Sequence, residues 1–218
     1  MIQLTGAGQG NYKSINSALK KEGIKPVTAQ WFNWGEPNFY KQIFEIKASG
    51  AEVIILVANS PEGKTFIKNM KKRRVSIPIL SHWGITGGNF GWELKEELQE
   101  IDLEVLQTFS FINAKNDITR SFLKKYFKYF RLDNEDNIIA PVGTAHAYDL
   151  IHLLALAVKS AKSLDRSKIR DALERIQNYD GLVKNYRNPF TSNDHDALDS
   201  SDFFLAKFDE NGRIIPGN

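Results

Sequence analysis

The chain has no cysteine, which removes disulfides, thiolate metal ligands and thiol nucleophiles together and leaves the compartment open. Nor does any run approach the roughly 18 consecutive apolar residues of a membrane-spanning helix. Met1 leads into a strand-like segment in place of a charged start followed by an apolar signal segment, so any export signal is missing from these residues. An excess of one charge is lacking too. The 29 Lys and Arg against 26 Asp and Glu leave a formal net charge of +3, which by itself implies neither a nucleic acid nor an acidic partner. The dense basic cluster Lys71-Lys72-Arg73-Arg74 closes a helical stretch, where cations complement the negative end of the helix dipole. There is no Gly-x-x-x-x-Gly-Lys-Ser/Thr loop, His-Glu-x-x-His helix or Gly-x-Ser-x-Gly elbow. His146 and His152 are off a common helical face, which argues against a metal pair.

What is present is a repeat of strand and helix. With 42% hydrophobic residues over 218 positions, the chain can bury a sizeable core. Ile2–Thr5, Val27–Phe32, Val53–Val57, Ile77–Leu80 and Leu103–Phe109 are β-branched or aromatic runs of strand length, spaced roughly 25 residues apart as strand plus crossover helix requires. Between them Tyr12, Ile15 and Leu19 share one helix face, as do Phe39, Ile43 and Ile46, and Phe66, Ile67 and Met70. Ser60-Pro61 offers an N-cap hydroxyl followed by proline, and Glu36-Pro37 repeats the proline signal. This pattern predicts an α/β fold with a doubly wound parallel sheet and right-handed crossovers.

The second half reads differently. Phe122, Leu123, Tyr126, Phe127 and Phe130 form an aromatic stripe at helical spacing, and Ala145–Ala161 is apolar over most of its circumference, so both helices are expected to be buried. A third helix carries Ile169, Leu173 and Ile176 on one face. A long polar loop over Asn178–Ser201 is expected next, then a closing hairpin from Phe203–Phe208 to Arg213–Pro216 through Asp209-Glu210-Asn211-Gly212. Three further apolar helices exceed what a five-stranded layer can seat, so their floor is expected to lie elsewhere.

The order of several short segments resembles the C-terminal portion of the type I periplasmic solute-binding proteins, the branched-chain amino acid binding family of ABC transporters and its sensor relatives. The resemblance rests on Thr5-Gly6-Ala7-Gly8-Gln9-Gly10-Asn11, on Asn38-Phe39 through Gly50-Ala51-Glu52-Val53-Ile54, and on Ser81-His82-Trp83-Gly84. Gln107-Thr108-Phe109, Ala145-x-x-Tyr148-Asp149 and Pro189-Phe190-Thr191-x-x-x-His195-Asp196-Ala197-Leu198 complete it. It implies two α/β lobes hinged around a cleft, with residues 1–110 as a second-lobe domain, 111–201 as helices and loop of a first lobe, and 202–218 as strands returning to the second. It further implies that the first lobe's strands precede Met1, making the chain a fragment, and that a missing N-terminal lobe or another copy covers residues 118–176.

Ligands of open α/β sheets sit beyond the carboxyl ends of the strands. The candidate contacts are therefore Gly8, Gln9, Asn11, Asn59, Ser60, His82, Trp83, Thr86 and Ser110. The amides of residues 8–11 and 60–63, read as helix N-termini, favour a carboxylate or other partial negative charge. His82 and Trp83 read equally as packed residues at the sheet end, Asn59 as a turn former, and Trp31 and Trp34 as packing. Asp194-His195-Asp196 reads as a structural loop. Two positions depart from the family pattern: Ala7 where an aromatic is usual, and Thr86 where an acidic partner for the ligand's ammonium is usual. Losing that carboxylate would leave a buried ammonium poorly paired, which makes an aromatic acid, an amide or another uncharged-amine compound more plausible than a standard branched-chain amino acid.

The expectation is a non-enzymatic, periplasmic or extracytoplasmic small-molecule binder. It needs no cofactor and no nucleic acid, and has an ABC permease or a membrane sensor as partner. A Rossmann-type nucleotide-dependent enzyme is the rival, because Thr5–Gly10 resembles a dinucleotide turn. The motif's last glycine falls at Asn11 or Lys13 and is not completed, and no tyrosine has lysine four residues on. A sensor or interaction domain without a transport role stays open, since a fold does not fix a function.

Overall fold

Apolar runs and helical stretches alternate through the first half and close as parallel strands joined by crossover helices. The computed structural model describes residues 1–3, 6–112 and 116–217. The chain divides into two units, Met1–Leu106 with Leu205–Asn218, and Gln107–Phe204.

The first unit contains β1 (Ile2–Gln3), α1 (Gly6–Lys21), β2 (Trp31–Phe32), α2 (Tyr40–Ala48), β3 (Ile54–Leu56), α3 (Ser60–Lys72), β4 (Ile79–His82), a 3-10 turn over Trp83–Thr86, the single turn α4 (Phe90–Glu93) and β5 (Leu103–Gln107). β1 pairs with β2, β3 with β4 and β4 with β5, all parallel. A parallel bridge from Ile2 to Val57 sets β1 beside β3. The strand order is therefore β2-β1-β3-β4-β5, and the direction of winding reverses between β1 and β3. Leu4 and Thr5, the expected end of the first strand, lie outside the described residues. The second strand is shorter than expected, with Val27–Gln30 outside it, and the fourth begins two residues later because Pro78 precedes it and has no N–H for the ladder.

One face of this sheet is sealed by helices. Phe66, Ile67 and Met70 of α3 and Ile43 and Ile46 of α2 are buried in one cluster with Ile54, Leu56, Ile79 and Val105, as the helical spacing predicted. The expected start at Glu36-Pro37 is displaced. α2 begins at Tyr40, with Phe39 in the N-cap position and its N–H donated to Asn69 Oδ1 of α3 at 2.9 Å, so a tertiary acceptor sets the entry. At the same end of α3 the Arg73 guanidinium lies 4.1 Å from the centroid of the Tyr40 ring, and Lys71 pairs with Glu100.

The second unit holds α5 (Asp117–Phe130), α6 (Pro141–Ala161), α7 (Arg166–Leu173), β6 (Asn178–Asp180) and β7 (Asn185–Arg187). β6 and β7 form an antiparallel hairpin within the stretch expected to be loop. Its sequence is polar, so strand periodicity gave no signal, and a carboxylate from another element supplies what the pattern lacks. Asp149 of α6, 1% exposed, accepts from Leu182 N at 2.7 Å, from Val183 N at 2.8 Å and from the Tyr186 hydroxyl at 3.1 Å. Burial first, and the neighbouring Asp149 charge second, push the Tyr186 phenol well above its ordinary value. Phe109, Phe111, Ile138, Ala145 and Leu182 form the buried cluster of this unit, against which Phe122, Leu123, Tyr126, Phe127 and Tyr148 pack.

The expectation that α6 is wholly buried is corrected. Val142, Ala145, Asp149, Leu153 and Ala157 face inward, while Leu150, Ile151, Leu154 and Leu156 are exposed. The helix has one packed side, and nothing else among the described residues covers the other.

β8 (Phe204–Phe208) and β9 (Ile214–Pro216) form the expected antiparallel hairpin and continue the sheet beyond β5. Gly212 turns it with φ of +77°, and a Cβ there would stand 2.3 Å from Gly91 O, so both conformation and space call for glycine.

Candidate functional site

The carboxyl ends of β1, β3 and β4 form one rim of the first unit, and winding reverses between β1 and β3, the place at which open α/β sheets hold ligands. The segments that follow these strand ends are the first turn of α1, the turn into α3 and the 3-10 turn after β4.

α1 begins at Gly6, so the glycine-rich stretch expected as a turn is wound into helix. Gly8 and Gln9 lie in the first turn of α1, whereas Asn11 lies beyond it and its side chain is exposed. The side chain of Ala7 lies outside the described residues. No acidic residue occupies the first turn of α1, which leaves its end positive.

The turn into α3 differs from expectation in its cap. Gly63 N donates to Asn59 O at 2.8 Å, so Asn59 is the N-cap and Ser60 the first helical residue. Asn59 makes no side-chain capping bond, and its amide is left for other partners. As an anion site this helix end is weak. Pro61 has no N–H, the Gly63 N–H is spent, and the first turn already carries Glu62. Glu62 is 2% exposed; its Oε1 accepts from Gly35 N at 3.0 Å and its Oε2 has no hydrogen-bond partner. The carboxylate expected at residues 60–63 would meet a buried acid of the same sign.

The 3-10 turn packs directly beside that helix start. A Cβ on Gly63 would lie 2.5 Å from Ile85 Cγ1, and one on Gly87 would lie 3.6 Å from Ser60 Cβ. Two of the candidate segments, Asn59–Ser60 and Trp83–Thr86, are thus brought together through glycines. His82 Nδ1 accepts from Gly84 N at 3.1 Å, which puts the proton of a neutral ring on Nε2, and burial lowers its pKa. Trp83 is exposed above it. Thr86 turns its hydroxyl inward, donating to Trp83 O at 2.7 Å.

Ser110 belongs to the second unit, where its Oγ accepts from Ile112 N at 3.3 Å. Trp31 packs on Tyr12 with ring centroids 5.2 Å apart, but Trp34, expected to pack, is 69% exposed. The loop acids behave structurally: Asp194 accepts from Asp196 N, and His195 meets Glu174 at 3.0 Å. His146 is bonded to Thr108 at 2.8 Å and His152 to the Tyr148 carbonyl at 2.9 Å; among the described residues no cluster of three potential ligands could hold a metal ion. No helix among them is long and apolar enough to cross a membrane. Sequence reasoning missed Glu62, because an acid in a helix's first turn is ordinary in sequence and only its burial sets it apart.

Comparison with known proteins places this architecture. The family described as Periplasmic binding protein matches residues 4–213. A Leu/Ile/Val-binding protein homolog of Brucella abortus is 25% identical over 170 residues, covering 78% of this chain and 43% of that protein. An amino acid binding protein of Pseudomonas aeruginosa is 30% identical over 78 residues, 36% of this chain and 21% of the relative. The crystal structure of a type 1 periplasmic binding protein from Bordetella pertussis superposes with a TM-score of 0.83 at 17% identity, over 99% of this chain and 59% of that one. The chain spans less than half the length of these curated relatives and somewhat more than half of the solved structure. A doubly wound sheet whose winding reverses between β1 and β3, matched along nearly its whole length, belongs with these proteins: the chain is a member of the periplasmic binding protein family and has the type I fold.

Proposed function

We propose that this chain serves as the ligand-binding portion of an extracytoplasmic solute-binding protein, working in ABC uptake or in signalling, and that the β1–β3–β4 rim is its solute site. Gly8, Gln9, Asn59, Ser60, His82 and Trp83 are the groups that touch the solute, with Asn11 and Thr86 as outlying members. Capture proceeds by hinge closure, in which the solute's differential affinity for the closed form shifts the equilibrium. The observation that carries the reading is the reversal of winding between β1 and β3, with an uncommitted Asn59 amide at its edge.

The electrostatics narrow the solute. The α1 end is positive and carries no acid, while the α3 end carries buried Glu62. A small molecule with a carboxylate toward α1 and an N–H donor toward α3 fits both, which describes an amino acid or an acid amide.

Isothermal titration of the full chain against amino acids, acid amides and aromatic acids tests this. Saturable binding by one class is expected, weakened at least tenfold by Asn59→Ala and by Trp83→Ala. Unchanged affinity in both variants would reject the rim. Thermal stabilisation by a nicotinamide cofactor alone would reject a solute-binding role.

A further inference from the structure

The solvent face of α5 has a composition that its fold does not explain. The inward face, Phe122, Leu123, Tyr126 and Phe127, is packed on the core of the second unit. The outward face presents Lys124, Lys125 and Lys128, followed by Arg131 at the helix's C-cap. None of these four joins an ion pair among the described residues. Arg120, one turn earlier, is paired with Asp117. Only Lys128 sits in the last turn, where the helix dipole accounts for a cation, so Lys124 and Lys125 have no such reason to be there. Beside Lys125 stands an aromatic ring: Tyr129 is 80% exposed and meets Phe130 edge to face with centroids 4.9 Å apart, while Phe130 in turn leans on Tyr126 of the inward face.

Lys124, Lys128 and Arg131 recur at i, i+4 and i+7, with Lys125 and Tyr129 on the adjoining row, so the Tyr129 ring borders one stripe of cations. The next carboxylates, Asp133, Glu135 and Asp136, follow on the turn beyond the left-handed Arg131; Asp133 there accepts from Asn137. Positive charge is thus carried by the helix face and negative charge by the turn after it.

We propose that this face of α5 docks on an anionic lipid surface. Cations in a row attract the surface potential of a membrane rich in acidic headgroups, and aromatic rings at the edge of such a row settle into the headgroup layer. The exposed Tyr129 ring favours lipid over an acidic protein segment, for which charge alone would serve. Such docking is reversible and falls with salt.

Co-sedimentation of the full chain with vesicles tests it. Binding is expected to vesicles containing phosphatidylglycerol and not to pure phosphatidylcholine, with loss at high salt. Replacing Lys124, Lys125 and Lys128 together by Glu should abolish binding while the circular dichroism spectrum is kept. Each single Lys→Ala change should weaken the partition about fivefold. Tyr129→Ala should weaken it without altering the salt dependence. Equal binding to neutral vesicles, no binding to either, or unchanged binding by the triple variant would overturn the proposal. So would binding to soluble polyglutamate with none to anionic vesicles, which would indicate an acidic protein partner instead.

Discussion

Helices α3 and α6 invert the relation between composition and burial. α3 is mostly polar, yet Phe66, Ile67 and Met70 are fully enclosed between the sheet and the 3-10 turn. α6 is the most apolar helix of the chain, yet Leu150, Ile151, Leu154 and Leu156 face outward and its inward side is fixed by a carboxylate. Burial follows from the partner a segment meets and not from its own hydrophobicity. In the first unit that partner is a parallel sheet, which accepts any helix with one apolar stripe. In the second unit the described residues offer only the two-stranded β6–β7 hairpin, and a polar hub holds the pieces.

Phe66→Ala should show the largest effect, since it removes a buried ring that meets Phe39 edge to face at 5.6 Å between centroids. A loss of about 3–5 kcal/mol is expected in urea unfolding of the full chain. A loss below about 1 kcal/mol would mean that the α3 face is loosely packed, and the contrast with α6 would collapse.

Asp149→Ala is the corresponding break in the second unit. It leaves the Leu182 and Val183 amides and the Tyr186 hydroxyl without an acceptor, at a cost of about 2–4 kcal/mol. Asp149→Asn keeps one carbonyl oxygen and should recover part of that loss. If the two variants were equally stable, the carboxylate geometry would not be what orders the hairpin. Gly181 sharpens the test, because a Cβ there would fall 2.6 Å from Asp149 Cγ, so Gly181→Ala should disturb the same hub from the hairpin's side.

Much of the first unit was legible because its signals are local and redundant. A strand-length apolar run, a turn and a helical stripe recur four times, and Phe39–Ile43–Ile46 and Phe66–Ile67–Met70 fell where the periodicity put them. At the rim, strand ends pointed to Asn59–Ser60 and Trp83–Thr86, which lie side by side, whereas Ser110 falls in the second unit. What escaped was decided by side chains from elsewhere: Asn69 sets the start of α2, and Asp149 makes strands of a polar segment. Glu62 escaped for the same reason, its burial being a property of the packed first unit. Gly8–Asn11 misled because glycines signal a turn by propensity, and here helix formation overrode it.

Acid should weaken both units by a common route. Burial lowers the pKa of His82 in the first unit, and burial, opposed by the Asp149 charge, lowers that of His146 in the second. A lowered histidine takes up its proton more readily when unfolded, so this contribution is intact above the ordinary value of about 6.5 and is lost as pH falls below it. Melting temperature should therefore decline from pH 7.5 toward pH 5. The decline should be shallower in His146→Gln, and an unchanged slope in that variant would assign it to other groups.

The smallest effect should come from the most hydrophobic helix. Ile151 lies on the outward face of α6 and is 64% exposed. Replacing it by Ser removes little buried area, because a side chain already in water has little transfer free energy left to lose. The expected change is within about 0.5 kcal/mol of zero for the full chain. The inward neighbour Leu153 is its control, since Leu153→Ala empties a buried position and should cost about 2–5 kcal/mol. Comparable losses from the two substitutions would show that something covers the outward face in solution, and α6 would then differ from α3 only in which molecule supplies its cover.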